Sequence, residues 1–365
     1  MILFLCGDVM TGRGVDQVLP HPGDPLLYEP WVGDARGYVD LAETASGPIP
    51  RRVDFSYVWG DALGELERVA PDARIVNLET SVTRSDDAWL GKGINYRMHP
   101  DNVACLTAAR IDVCALANNH VLDWGRAGLV ETIDVLRRAG VQTAGAGRDL
   151  DEAREPAVIA RPGEGRLVVF AFGLGTSGIP RGWAAAEGRP GIDLLPDLSE
   201  RTSLGIEERV RRAKRPRDVV VASIHWGGNW GYAIPDEHVW FAHRLIEAGV
   251  DVVHGHSSHH PLAIEVHGGK LALYGCGDFI NDYEGIQGHE EFRGDLTLMY
   301  FASVDTSTGE LERLTMTPMV LRKLRANRAA AADARWLAET ITRESLAFGV
   351  RAALEEDGRL ILRRR

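Results

Sequence analysis

The hydrophobic pattern divides this chain into short apolar runs separated by longer stretches of helical periodicity. The runs Ile2–Cys6, Ala73–Leu78, Ile111–Ala117, Leu167–Phe172, Asp218–His225, Val250–His254, Lys270–Tyr274 and Leu296–Ser303 read as buried strands. Between them, Tyr57–Ala70 follows Asp54 as N-cap, and Asp101–Arg110 and Arg126–Ala139 fit helices, the last stopped by Gly140. Glu237–Ala248 places Val239, Ala242, Leu245 and Ile246 on one face before Gly249, and Ala329–Ala347 is a further Ala-rich helix. Strands alternating with helices predict an α/β fold with mixed sheets. Segments 16–53 and 181–207 break the pattern and read as irregular insertions in a single domain spanning 1–365. Segment 16–53 is long for an unstructured connection and is expected to cover part of a site.

Composition narrows the partners. The chain has 45% hydrophobic and 25% charged residues, the balance of an ordinary globular protein. Net charge is −11, which argues against a nucleic-acid partner. Cys6, Cys105, Cys114 and Cys276 form no Cys-x-x-Cys pair and read as reduced, buried small hydrophobes. Met1–Cys6 is too short and lacks the basic start of a secretory signal, so it reads as a core strand. No stretch reaches membrane-span length. The expected location is cytoplasmic, without a membrane partner; the oligomeric state is not written in the sequence.

The chemistry gathers where the strands end. Nine of the 12 histidines fall between His225 and His289, densest in His254-Gly-His256-Ser-Ser-His259-His260. Four more polar clusters end strand-like runs: Gly7-Asp8, Asn77-Leu-Glu79, Asn118-Asn119-His120 with Asp123, and His225-Trp226. Asp, Glu, Asn and His are together a ligand set for divalent metals. In an open α/β sheet the strand ends are where ligands bind. His120 with Asp123, and His254 and His260 with Asp278, can form His–carboxylate pairs that fix a tautomer and tune basicity. Trp124, Trp226, Trp230 and Tyr232 lie within a few residues of these clusters and are candidates to line a groove for a peptide.

In order along the chain, Gly7-Asp8-Val-Met, Asn77-Leu-Glu79-Thr80, Asn118-Asn119-His120-x-x-Asp123-x-Gly125, His225-Trp226-Gly227 and Gly255-His256-x-x-His259 resemble the motifs of CapA-type proteins of poly-γ-glutamate and capsule synthesis. These lie within the calcineurin-like metallophosphoesterase superfamily, and the likeness runs from residue 2 to about 303. It implies a calcineurin-like four-layer α-β-β-α sandwich with two mixed sheets. It also implies that Asp8, Glu79, Asn119, His225, His256 and His259 surround a divalent ion (Ca²⁺, Mn²⁺ or Zn²⁺) and that His120 is the acid/base histidine beside it.

Three departures bear on the chemistry. Met10 stands where the superfamily's phosphoesterases carry the histidine of Asp-x-His, Asn77 and Glu79 replace Gly-Asp-x-x-Asp, and the last motif is stretched to His-x-x-His. One tightly held ion, or an oxygen-rich site suited to Ca²⁺ or Mn²⁺, is therefore expected in place of a two-metal clamp, which disfavours phosphatase chemistry. The expected function is then metal-dependent acid/base catalysis on a peptide substrate. The family includes lasso-peptide epimerases, which makes Cα epimerisation of a C-terminal residue of a lasso precursor the first reading. His120, Asp123, His254, His260 and Asp278 would be its proton-transfer groups. A metal-dependent phosphoesterase and an accessory factor in poly-γ-glutamate or capsule-type polymer synthesis are the alternatives.

Overall fold

The structure is a computed structural model describing residues 1–161 and 165–364. Two mixed sheets stack face to face with helices on both outer faces, the expected four-layer arrangement. In the first sheet Ile2–Val9 lies parallel to Ala73–Leu78, which lies parallel to Val113–Ala115 and then Gln142–Ala144. On its other side Ile2–Val9 pairs antiparallel with Leu296–Val304. In the second sheet Gly165–Leu174, Val219–His225 and Val252–His256 run parallel.

Period-two alternation builds the layers. In the second sheet Leu167, Val169, Val219, Val221, Val252, Leu271 and Leu273 face the first sheet and join its core. Their neighbours Val168, Phe170, Phe172, Val220, Ala222 and Val253 turn outward to Ile206 and Val210 of helix Glu200–Ala213 and to Phe241, Ala242 and Leu245 of helix Asp236–Glu247. Both faces of each central strand are therefore apolar, which is why these strands read as continuous hydrophobic runs.

The eight expected strands are all present, most with ends moved by one to three residues. Tyr57–Ala70 splits into a 3-10 turn, Tyr57–Trp59, and helix Ala62–Val69, with Gly60 at φ +48° between them. The stretches expected to be irregular contain order: helix Arg36–Ser46 lies in the first, and helix Glu200–Ala213 begins in the second. Strand Leu311–Leu321 and the C-terminal hairpin Val350–Leu354 and Leu360–Arg364 were not foreseen. Among the described residues no helix is long and apolar enough to cross a membrane.

Candidate metal centre and acid/base site

Because the central strands run parallel within each sheet, their C-terminal ends share one edge. Asp8, Asn77 and Glu79 come from the first sheet, with Asn119 and His120 just past Val113–Ala115; His225 and His256 come from the second. Two glycines bring the chain close enough to concentrate charge. A Cβ at Gly7 would lie 1.7 Å from Gly277 O, so only glycine lets Ile2–Val9 run against Asp278–Ile280. Parallel pairing there sets Asp8 opposite Asp278.

Two groups of possible ligands overlap at this point. Asp8, His225 and His256 form one, and Asp8, Glu79 and Asp278 the other; in each, the ligand atoms lie within 4.8 Å of one another. Asp8 belongs to both. All five side chains are buried. Asn77 Nδ2 donates to Asp8 Oδ1 at 2.8 Å, and Ser257 N to Asp8 Oδ2 at 3.2 Å. Ser257 holds φ +104°, a strained value for a residue with a side chain, and this turn presents its N–H to Asp8. His225 Nε2 contacts Asn119 Oδ1 at 3.0 Å, and His225 Nδ1 faces His256 Nδ1 at 2.8 Å.

Burial and like charge set the protonation. Burial pushes the Asp8 carboxyl up to about 7, and burial together with Asp8 holds Glu79 well above the usual carboxylate range. Burial, then neighbouring histidines, holds His225 and His256 well below the usual imidazole range. Neutral imidazoles and crowded carboxylates fit a divalent cation, whose charge would relieve the repulsion that burial leaves uncompensated. Most of the expected ligands thus fall into two groups that share Asp8. Asp278, expected as a proton-transfer group, joins the second of them beside Glu79.

Beside this group lies the acid/base pair. His120 Nδ1 lies 2.6 Å from Asp123 Oδ2, a fully buried oxygen that also accepts Tyr96 N at 2.7 Å. An Nδ1–H given to Asp123 leaves Nε2 as the free lone pair, and Nε2 lies 3.9 Å from Glu79 Oε1. Burial, then Lys92, lowers the His120 imidazole to about 4. Lys92 was missed by sequence reasoning. Its Nζ donates to Asp123 Oδ1 at 2.5 Å and to Asn119 O, and lies 2.9 Å from His120 Nδ1. The available signal was its setting, Gly91-Lys92-Gly93, in a chain with only four lysines.

Other sequence candidates are redistributed. His259 meets Asp278, Nδ1 to Oδ1 at 3.0 Å, and shares neither ligand group, so it is the histidine partner of a carboxylate. Burial works against its charged form, but Asp278 raises it above the usual imidazole range. His254 is inside the sandwich: Nε2 donates to Cys6 O at 2.7 Å and Nδ1 contacts Ser223 Oγ, a packing role in place of proton transfer. His260 stacks on Phe292 and accepts Gly231 N–H at 3.2 Å, away from the site. Trp124 is buried beneath the Arg97 guanidinium and donates to Tyr96 O. Trp226 is buried against His238 and donates to Tyr274 O. Tyr232 packs on His260 and Phe292. Of the four aromatic candidates only Trp230 lines the cavity.

That cavity, about 1240 Å³, opens over Glu79, Asn119, His120, His259 and Asp278. Glu29, Pro30, Trp31 and Tyr38 contribute part of its wall, so segment 16–53 covers part of the site, as expected. Arg13 anchors this wall: its guanidinium pairs with Asp282 (Nη2 to Oδ1, 2.5 Å) and Glu29 (3.0 Å) and lies over the Tyr38 ring.

Residues 2–283 match the family described as Bacterial capsule synthesis protein PGA_cap. The chain is 49% identical over 98% of its length to a Mycobacterium tuberculosis protein called a probable polyglutamine synthesis accessory protein, covering 94% of that protein. It is 27% identical over 97% of its length to the PGA biosynthesis protein CapA of Bacillus subtilis, covering 80% of it. Among solved structures, the 5'-nucleotidase precursor from Thermus thermophilus superposes with a TM-score of 0.44 and 16% identity, covering 88% of this chain and 54% of that one.

Proposed function

The chain belongs to the Bacterial capsule synthesis protein family PGA_cap, and on that footing we propose that it is an accessory factor in the synthesis of a glutamate-type polymer, acting there as a metal-dependent hydrolase of phosphoesters. The names of its relatives support the accessory role over the epimerase reading. The observation that carries the chemistry is the pair of ligand groups sharing Asp8 beside His120–Asp123. Asp8, His225 and His256 would hold one ion, and Asp8, Glu79 and Asp278 a second. Ions held there would supply Lewis-acid polarisation of a phosphoryl oxygen.

The protein's own groups do the rest. Asn77 and Ser257 fix the two Asp8 oxygens. Asp123 and Lys92 hold the His120 ring so that Nε2 faces the cavity, where it can hand a proton to or take one from a leaving-group oxygen. The wall formed by Glu29–Trp31 and Tyr38 restricts water and frames an extended substrate.

The test is hydrolysis of p-nitrophenyl phosphate and bis-p-nitrophenyl phosphate by the purified chain with Mn²⁺ or Zn²⁺, beside Asp8→Asn. Turnover by the wild type alone is expected. Absence of turnover on both esters with the metal content confirmed would overturn the hydrolase reading.

A second reading, Cα epimerisation of a peptide residue, is favoured by one observation: two His–carboxylate pairs, His120–Asp123 and His259–Asp278, both border the cavity. Incubation of candidate peptides in D₂O separates the two, because epimerisation installs deuterium at Cα and ester hydrolysis does not.

A further inference from the structure

A second cluster of metal-ligating side chains lies on the outer face of the second sheet. His243 belongs to helix Asp236–Glu247, and Glu265 and His267 belong to strand Ile264–His267, which pairs antiparallel with Lys270–Leu273 at the end of that sheet. Residues two apart on a strand point to the same side, so Glu265 and His267 both face the helix. One ligand atom from each of the three lies within 4.8 Å of the others. His243 Nε2 meets Glu265 Oε1 and Oε2 at 2.9 and 3.0 Å. Glu247 sits one helical turn beyond His243, and its Oε1 is 4.0 Å from His267 Nε2.

We propose that His243, Glu265 and His267 form a second metal site, for a Zn²⁺-type ion, with Glu247 in reach as a fourth donor. Two imidazoles and one or two carboxylates are a donor set that zinc takes readily in four-coordinate sites. Donors in a tetrahedral zinc shell are about 3.3 Å apart, from Zn–N bonds of about 2.0–2.1 Å, so the His243–Glu265 contact needs to open by only a few tenths of an ångström. The two imidazole rings stack with centroids 3.6 Å apart and planes 10° from parallel. Tyr274 Oη donates to Glu265 Oε2 at 2.5 Å, orienting the carboxylate as groups behind metal ligands do. One positive group competes at the rim: Arg244 donates to Glu247 Oε2 at 2.6 Å. His243 and His267 are partly exposed, which leaves an ion a way in. A bound ion would tie the helix to the strand at this end of the second sheet, so the site reads as a staple, separate from the cavity.

Equilibrium dialysis of the full chain against Zn²⁺, with bound metal counted, tests this. His267→Gln, at a partly exposed position, and His243→Gln/His267→Gln are compared with wild type. Wild type is expected to hold one more equivalent than either variant. Zn²⁺ should raise the melting temperature of wild type more than that of the variants, and ester hydrolysis should be unchanged. Glu247→Gln, which alters only an exposed carboxylate, is expected to weaken the extra equivalent about tenfold. Equal zinc content in wild type and His267→Gln, both folded by circular dichroism, would overturn the proposal and leave the cluster as a His–Glu hydrogen bond.

Discussion

Replacing Asp123 by Asn exposes how the acid/base pair is held. Asp123 is completely buried and takes three contacts: the Tyr96 N–H at 2.7 Å, His120 Nδ1 at 2.6 Å and Lys92 Nζ at 2.5 Å. Asparagine keeps the size but removes the charge: its one oxygen still accepts, while its NH₂ group, in place of the other oxygen, faces donors it cannot satisfy. Lys92, largely buried, would then be a cation without a counter-charge. Removing one partner of a buried ion pair costs about 3–5 kcal/mol. Lys92→Met alone should cost less, because Asp123 keeps two donors. In Asp123→Asn/Lys92→Met the stranded cation is gone, so about 2–3 kcal/mol of the loss should return, the worth of a charge-assisted hydrogen bond. Urea unfolding followed by circular dichroism, in EDTA so that metal binding does not enter, measures all four corners of the cycle. If Asp123→Asn stays within about 1 kcal/mol of wild type, or Lys92→Met restores nothing to it, the reasoning that Lys92 and Asp123 form one electrostatic unit is wrong.

Three further outcomes follow from the same geometry. If the proposed two-ion centre is right, Asp8→Asn should lose both ions and His256→Ala only the one on the His225 side; elemental analysis that finds the same count in both would refute the sharing of Asp8. His120→Ala should keep its metal and lose about 10²–10⁴-fold in kcat, the usual contribution of a general acid/base, and a variant that turns over normally would remove His120 from the chemistry. Burial lowers the His238 imidazole, stacked on Trp226, to about 4, so its neutral form stabilises the fold above the unfolded value near 6.5 and this contribution is lost as pH falls toward 4. His238→Gln should therefore narrow the difference in urea midpoint between pH 7 and pH 4.5, by an amount corresponding to roughly 2–3 kcal/mol, and an unchanged pH profile would count against it.

The fold was legible wherever both faces of a strand are buried. Val219–His225 and Val252–His256 are continuous apolar runs because one face meets the first sheet and the other meets helices. Strand Leu311–Leu321 escaped because Glu312 and Arg313, side by side, break the alternation at its start and its far half carries Pro318, which argues against a strand read locally. Tertiary pairing overrides this, with Pro318 opposite Leu298. Helix Glu200–Ala213 escaped for another reason: only Ser203, Ile206 and Val210 are buried on it, an apolar stripe too thin to register. Alternation also explains the placement of Trp226. His225 is the last residue of its strand and faces the site, so Trp226, one position on, turns to the outer helix layer.

The same period separates the histidines of the densest cluster. His254 and His256 are two apart on one strand and share a face, yet only His256 lies at the edge; His254 is one step deeper and finds Cys6 O and Ser223 in place of a ligand partner. Spacing alone could not tell edge from core, because that depends on where the opposing sheet ends. Asp278 illustrates the converse. Nothing in its local sequence marks it as a ligand, and it stands 270 positions after Asp8. Its role follows from a backbone contact that requires glycine: with Gly7 against Gly277, Asp278 comes into register with Asp8 and completes a carboxylate group with Glu79. On the proposed two-ion reading, the histidine absent at Met10 is answered from a distant strand. A motif count taken in chain order registers the loss and has no means of registering the replacement.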